Sequence, residues 1–222
     1  MPTCNLCGFP VLRLHSGDAG QRCLRCFSTF RHRAVGAVLT KLGLARDARV
    51  YEMSSRGALC RHLRRTFAQV TMSELFDDVA AGGFRDGVQC QDAQRLTYGD
   101  AAFDLVTSTE VFEHVPDDRR AFGEIYRVLR PGGSLVFTVP LMDAPATLER
   151  ARRENGAIVH LFEPEYHGDR LRGRRKVLAF RTYGLDILGR LRAVGFEAAL
   201  ERIDDAAHAI VDGKVVVAHK LA

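Results

Sequence analysis

The 222-residue sequence contains no apolar run approaching the roughly 18 uninterrupted residues that a membrane-spanning helix requires. Its first residues lack the basic-then-apolar order of a secretory signal. Together these absences lead to the expectation of a soluble, cytoplasmic protein with no membrane partner. Lysine is also scarce, with only Lys41, Lys176, Lys214 and Lys220, so the formal charge of +5 is carried almost wholly by arginine. There is no lysine-rich face, few aromatics and no tryptophan with which to stack bases. The basic balance alone therefore does not mark a nucleic-acid binder. With 46% hydrophobic residues, the chain is long enough for one good-sized core and a small appendage, but not for two full domains.

Cysteines are few and unevenly spread. Cys60 and Cys90 are isolated and read as small apolar core residues, whereas the other four fall within the first 26 positions. Cys4-Asn5-Leu6-Cys7 and Cys23-Leu24-Arg25-Cys26 are two CxxC pairs separated by fifteen residues, which is tetrathiolate zinc spacing. Each pair can close a tight turn, and Gly8 removes bulk where the first turn closes. Four sulfurs leave no open coordination position, so the expected Zn2+ is structural. A redox CxxC would sit at the start of a helix and would not need a second pair. His15 and His32 are alternative ligands that the spacing does not demand. Arg22, Arg25, Arg31 and Arg33 lie close in sequence to the second pair and would offset the charge of a zinc tetrathiolate or touch an anionic partner.

Beyond the cysteines, apolar residues from Arg33 to Leu44 recur near helical spacing and predict a linking helix ending near Gly43. Ala48–Met53 then reads as a strand, followed by Ser54-Ser55-Arg56-Gly57 and a helix through Arg65, which is the opening of a doubly wound α/β sheet. Ala68–Ser73 predicts a second strand ending at Glu74, an acid placed to accept ribose hydroxyls. Gly87–Asp92 predicts a short third strand, and Asp92 beyond its end is placed for an adenine amino group. Each acid taken singly also suits a loop cap. A fourth strand runs from Phe103 to Ser108. Pro116-Asp117-Asp118 starts a helix that stops at Pro131-Gly132-Gly133, and Ser134–Val139 forms a fifth, strongly apolar strand. A helix over Tyr183–Val194 precedes two final strands, Phe196–Arg202 and Ala209–Ala218.

The run FDLVTSTEVFEHV, then RVLRPGG, then LVFTVP, over residues 103–139, resembles the class I S-adenosylmethionine-dependent methyltransferases of the broad type-11-like group. The resemblance implies a Rossmann-like, seven-stranded, mostly parallel sheet whose last strand is antiparallel. It sits here behind an N-terminal zinc ribbon. The domain reading is ribbon 1–30, linking helix 31–47 and methyltransferase domain 48–222. By the same resemblance Glu52, Ser54 and Gly57 occupy the first cofactor motif, Glu74 is the ribose acid, and Asp92 with Ala93 forms the adenine-side turn. Thr109, Glu110 and His114 would line the methionine side. Family members usually show acid-x-Gly-x-Gly-x-Gly in the first motif, whereas this chain has Glu52-Met53-Ser54-Ser55-Arg56-Gly57 and keeps the acid and one glycine.

The long segment 141–181 is expected to cover the acceptor. Its candidate residues are His160, Glu165, Tyr166 and Asp169, with His167 as a candidate general base. A polar turn without chemistry, and a metal set of His160, Glu163 and His167, are the other readings of this stretch. The cluster Arg170, Arg172, Arg174, Arg175 and Lys176 suits a solvated loop or an acidic acceptor. The expected function is methylation of a small molecule or glycan precursor. The alternatives are an rRNA or tRNA methyltransferase, and a non-catalytic, zinc-stabilised binding module.

Overall fold

The computed structural model describes residues 1–13, 20–168 and 176–222. His15, Asp169, Arg170, Arg172, Arg174 and Arg175 lie outside the described residues. Two short antiparallel strands, β1 (Val11–Arg13) and β2 (Gln21–Cys23), lead into helix α1 (Phe30–Leu42). The Thr29 hydroxyl accepts the His32 N–H while the His32 ring takes the Thr29 N–H, a reciprocal cap, and Gly43 ends the helix in the left-handed region. His32 is thereby used as a helix cap and is absent from the cysteine cluster.

Strand β3 (Arg49–Glu52), helix α2 (Ala58–Thr66), and strands β4 (Gln69–Glu74), β5 (Phe84–Arg85) and β6 (Val88–Cys90) follow. Next come β7 (Phe103–Thr109), a 3-10 turn over Phe112–His114, helix α3 (Asp118–Val128) and β8 (Leu129–Thr138). Residues 141–181 carry β9 (Leu148–Glu149), β10 (Ala151–Glu154), β11 (Ala157–His160), β12 (Glu165–Gly168) and β13 (Lys176–Ala179), with β14 (Arg181–Thr182) ending the segment. Helix α4 (Ile187–Arg192) and strands β15 (Phe196–Asp205) and β16 (Ile210–Lys220) complete the chain.

The main sheet has the order β15-β16-β8-β7-β3-β4-β6-β5. β3 pairs in parallel with both β4 and β7, as do β4 with β6 and β7 with β8, whereas β16 runs antiparallel between β8 and β15. This is the Rossmann-like arrangement with an antiparallel last strand. The sheet has eight strands rather than seven, because Phe84–Arg85 pairs antiparallel with β6 where a crossover helix is missing.

Strand alternation divides the core. Val50, Leu105, Val136, Val215 and Val217 face α1 and α2, while Tyr51, Val106, Leu135, Phe137, Val216 and Ala218 face α3 and α4. α1 therefore lies directly on the sheet through Ala34, Val35, Val38 and Leu39.

Other boundaries also differ from expectation. β8 starts at Leu129 and includes Pro131-Gly132-Gly133 as a bulge, since two steps along β7 (Phe103 to Leu105) match five along β8 (Leu129 to Ser134). α4 starts at Ile187 rather than at Tyr183. The Tyr183 N–H is taken by the Pro140 carbonyl at 3.1 Å, and Gly184 packs so closely on Ala146 that a Cβ would lie 2.3 Å from its carbonyl carbon. Among the described residues, no helix is long and apolar enough to cross a membrane.

Candidate functional site

The strand order reverses at β3, which is flanked by β4 on one side and β7 on the other, and open α/β sheets bind ligands beyond the carboxyl ends of their strands at such a switch point. Here that edge collects the β3–α2 loop, Glu74 at the end of β4, Asp92 just past β6, and Thr109 with Glu110 at the end of β7. Gly57 has a φ of +111° and open space where a Cβ would stand, so the backbone entering α2 is accessible to a ligand.

Glu74 ties the loop to β4. Its carboxylate accepts the Ser55 N–H at 2.7 Å and the Ser55 hydroxyl at 2.8 Å, with the Ser54 hydroxyl at 3.5 Å. Asp92 accepts the Gln94 N–H at 2.9 Å and caps its own turn, and Ala93 is buried beside it. At the ends of β7 and β8, the hydroxyls of Ser108, Thr109 and Thr138 and one carboxylate oxygen of Glu110 are buried without hydrogen-bond partners among the described residues, while the other Glu110 oxygen pairs with Arg31 at 3.5 Å. Glu110 also has a φ of +55°, the left-handed region that a residue with a Cβ seldom occupies. Orphaned polar atoms and a strained acid at the switch point fit a polar ligand that completes their bonding.

Glu52 is placed differently from a ligand-contacting acid. It is 1% exposed at the end of β3 and accepts the Thr107 hydroxyl. Burial pushes its pKa up to about 8, against an ordinary 4.5, with Glu74 adding repulsion. Cys60 also faces it and is pushed up to about 12, mainly by its own burial. The folded chain thus keeps a proton that the unfolded chain loses. This contribution is full below pH 4.5 and falls as pH rises toward 8. Wild-type stability in the absence of ligand should therefore decline between about pH 6 and pH 8 relative to Glu52→Gln, by up to about 1.4 kcal/mol per pH unit. Thermal melts of both proteins check this. Using the variant as reference separates Glu52 from Glu110, which burial and Glu113 push up to about 7.

The strand lobe over 141–181 folds against the 3-10 turn. The Phe180 N–H donates to the Glu113 carbonyl at 2.7 Å, and the His114 ring nitrogen Nδ1 lies 2.9 Å from the Leu178 carbonyl. His114 therefore turns toward the lobe. His167, on β12, reaches Glu165 through Nε2 at 3.0 Å and approaches Glu113 through Nδ1 at 3.7 Å. These two carboxylates push the His167 pKa up to about 9, Glu113 first, so in this state the ring holds its proton at neutral pH. Glu165 in turn pairs with Arg150 at 2.9 Å. Tyr166 and His160 are exposed on their hairpins, and Glu163 is exposed as well. Among the described residues, His160 and Glu163 form no ligand cluster with His167. The sequence reading missed Glu113, although its signal was present as a second acid three positions after Glu110 and directly before His114.

At the other end of the chain, the Sγ atoms of Cys4, Cys7, Cys23 and Cys26 all lie within 4.8 Å of one another. Cys4 and Cys26 are 3.6 Å apart, and Cys7 and Cys23 are 3.4 Å apart. Thiolates around a tetrahedral zinc, with bonds of about 2.3 Å, stand about 3.8 Å from one another, so the cluster fits a zinc ribbon. Sharing a hydrogen with Cys4 pushes the Cys26 thiol down to about 4, while Cys4 is pushed up by the same contact.

Sequence comparison relates part of this architecture to known proteins. The pattern of a family described as a methyltransferase domain matches residues 54–137, from the β3–α2 loop to within β8. A Coxiella burnetii ubiquinone biosynthesis O-methyltransferase is 38% identical over 74 residues, which are 31% of this chain and 32% of that protein. A malonyl-[acyl-carrier protein] O-methyltransferase of Enterobacter lignolyticus is 30% identical over 128 residues, 55% of this chain and 51% of that one. The chain thus spans about a third to a half of the length of these curated relatives. Among solved structures, Burkholderia thailandensis 1,6-didemethyltoxoflavin-N1-methyltransferase, with bound 1,6-didemethyltoxoflavin and S-adenosylhomocysteine, aligns with a TM-score of 0.55 at 19% identity. That alignment covers 87% of this chain and 79% of that one, and it establishes a shared fold. Over residues 54–137 the chain is similar to that methyltransferase domain, and it shares the fold of solved S-adenosylmethionine-dependent methyltransferases.

Proposed function

We propose that the protein is an S-adenosylmethionine-dependent methyltransferase acting on a small molecule or glycan precursor, with a structural Zn2+ in the cysteine ribbon. The observation that carries this reading is a set of buried polar atoms without hydrogen-bond partners among the described residues, the hydroxyls of Ser108, Thr109 and Thr138 and one oxygen of Glu110, beside the switch point of a methyltransferase fold. The cofactor supplies a methyl group on a sulfonium sulfur, which leaves as a neutral thioether. Glu74 would accept the ribose hydroxyls, held in place by Ser54 and Ser55. Gly57 and the start of α2 would receive the methionine carboxylate. Asp92 and Ala93 would border the adenine, and Thr109 and Glu110 would line the methionine side, with His114 behind them. Glu52 would support the loop from the end of β3.

Acceptors of small-molecule size are favoured by the activities of the ubiquinone and toxoflavin enzymes. The lobe over 141–181, with Tyr166 exposed, is the cover proposed for them. If Glu74 holds the ribose, Glu74→Ala should weaken S-adenosylhomocysteine binding about tenfold or more, since the loss of a charged hydrogen-bond acceptor is worth about 1.5–3 kcal/mol. Calorimetry on both proteins reads this directly, and unchanged affinity in the variant would remove the ribose assignment. Binding of structured RNA that weakens steeply with salt would move the acceptor class to RNA.

A further inference from the structure

The Glu113 side chain is fully buried, and among the described residues neither carboxylate oxygen has a hydrogen-bond partner. A buried charge in that condition is costly and is ordinarily paired or metal-bound. Two imidazoles face it. His114 Nε2 lies 3.6 Å and His167 Nδ1 3.7 Å from the same oxygen, Oε1, and the three ligand atoms lie within 4.8 Å of one another. Both distances exceed those of an N–H···O hydrogen bond, which falls at about 2.7–3.2 Å. They come close to the separation of about 3–3.5 Å between neighbouring donors that each stand about 2.1 Å from one cation.

The far side of each ring is already committed. His114 Nδ1 meets the Leu178 carbonyl at 2.9 Å, and a carbonyl can only accept, so Nδ1 carries the hydrogen and Nε2 is left to face Glu113. His167 Nε2 meets the Glu165 carboxylate at 3.0 Å, and Arg150 anchors that carboxylate at 2.9 Å, which leaves Nδ1 to face Glu113. Outer partners of this kind, a backbone carbonyl on one ring and a carboxylate on the other, fix tautomer and orientation in metal-binding histidines. The rings stand nearly perpendicular, at 87°, with centroids 4.9 Å apart.

From this geometry we infer that Glu113, His114 and His167 bind a divalent transition-metal cation between the 3-10 turn and β12, at a site distinct from the cysteine ribbon. One carboxylate and two imidazoles suit the zinc, iron and cobalt range rather than magnesium or calcium. Three protein ligands leave coordination positions open, the condition for receiving an oxygen of an acceptor molecule. That use rests on the methyltransferase reading. The cation site itself does not.

The test is equilibrium dialysis of the full-length, zinc-replete chain against Co2+, with absorption spectra of the product. One Co2+ per chain is expected beyond the ribbon zinc, with no thiolate-to-cobalt charge-transfer bands. Glu113→Gln and His167→Ala should each lower cobalt affinity by about tenfold or more while keeping the ribbon zinc. Should Glu113→Gln fail to fold, His167→Ala decides the matter, because His167 lies half-buried on a lobe strand. The inference is overturned by no cobalt uptake at millimolar concentration, by cobalt carrying thiolate bands, or by wild-type affinity in His167→Ala. The readout needs neither cofactor nor acceptor. Failure here leaves the methyltransferase reading standing, and failure of cofactor binding leaves the cation site standing.

Discussion

Replacing Cys4 and Cys7 together by serine is expected to remove one zinc per chain and to cost more than about 5 kcal/mol, a large part of the stability of an ordinary domain. The size follows from how the ribbon is attached. The Thr3 N–H donates to the Ala207 carbonyl at 2.9 Å, Arg65 donates to the Leu6 carbonyl at 2.9 Å, and Arg61 donates to the Cys26 carbonyl at 2.7 Å. Leu6 lies so close to α1 that a Cβ on Gly36 would stand 2.4 Å from its side chain.

Arg33 gives the ribbon a second role. It is fully buried and donates to the carbonyls of Ser28, His208 and Ala209 at 2.7–2.8 Å. Burial pushes its pKa down, and the cysteines Cys4, Cys23 and Cys26 oppose that shift. With zinc bound, negative thiolates would balance a guanidinium whose hydrogen bonds go to neutral groups, and their loss would leave a buried cation uncompensated. Metal analysis and thermal unfolding of the double variant measure both effects. A variant that kept its zinc, or melted as the wild type does, would disprove the ribbon's structural role.

Arg181→Met should destabilise the fold by about 3–5 kcal/mol, the range expected when one member of a buried ionic network is removed. Arg181 is 3% exposed. Its guanidinium donates to the carbonyls of Val115 at 2.5 Å, Phe112 at 3.3 Å and Pro116 at 2.7 Å, and to Glu149 at 3.1 Å. One side chain therefore fastens the start of the strand lobe to the turn that carries Glu113 and His114. Asp118, buried beside it, is also held by Arg190 and by the Tyr183 hydroxyl, each at 3.0 Å, and would lose part of its compensation. Denaturant unfolding reads the global cost. Limited proteolysis should cut first within 141–181, because the lobe loses its anchor. A change below about 1 kcal/mol would show that the network does not hold the lobe.

The legible part of this molecule was the part governed by local pattern. β7 is buried along most of its length, and the apolar spacing of Phe122, Ile125 and Val128 marked the buried face of α3. Such runs record their own burial. α1 was read as a linker because its period was visible but its partners were not. Val215 and Val217 of β16, against which it packs, lie more than 170 residues later in the chain.

The segment 141–181 was read only as a cover for the acceptor, with no strands assigned to it, and among its described residues it forms strand pairs. β10 and β11 are mostly exposed, so their sequences lack the alternation that announces a strand. The site divides along the same line. Acids at strand ends, such as Glu74, follow from strand periodicity. The meeting of Glu113 with His167 is made by two elements 54 positions apart, joined through the Phe180 N–H and the Leu178 carbonyl. His160 and Glu163, nearer to His167 in sequence, point elsewhere because alternating strand residues and a hairpin turn carry them to the exposed side.

The central claim is that the switch point at β3, β4 and β7 holds S-adenosylmethionine even though its glycine-rich loop has become Ser54-Ser55-Arg56-Gly57. Calorimetric titration of the purified, zinc-replete chain with S-adenosylmethionine tests it most directly. A single saturable site of submillimolar affinity is predicted. No heat of binding at millimolar cofactor would contradict the claim and leave a methyltransferase fold without its cofactor.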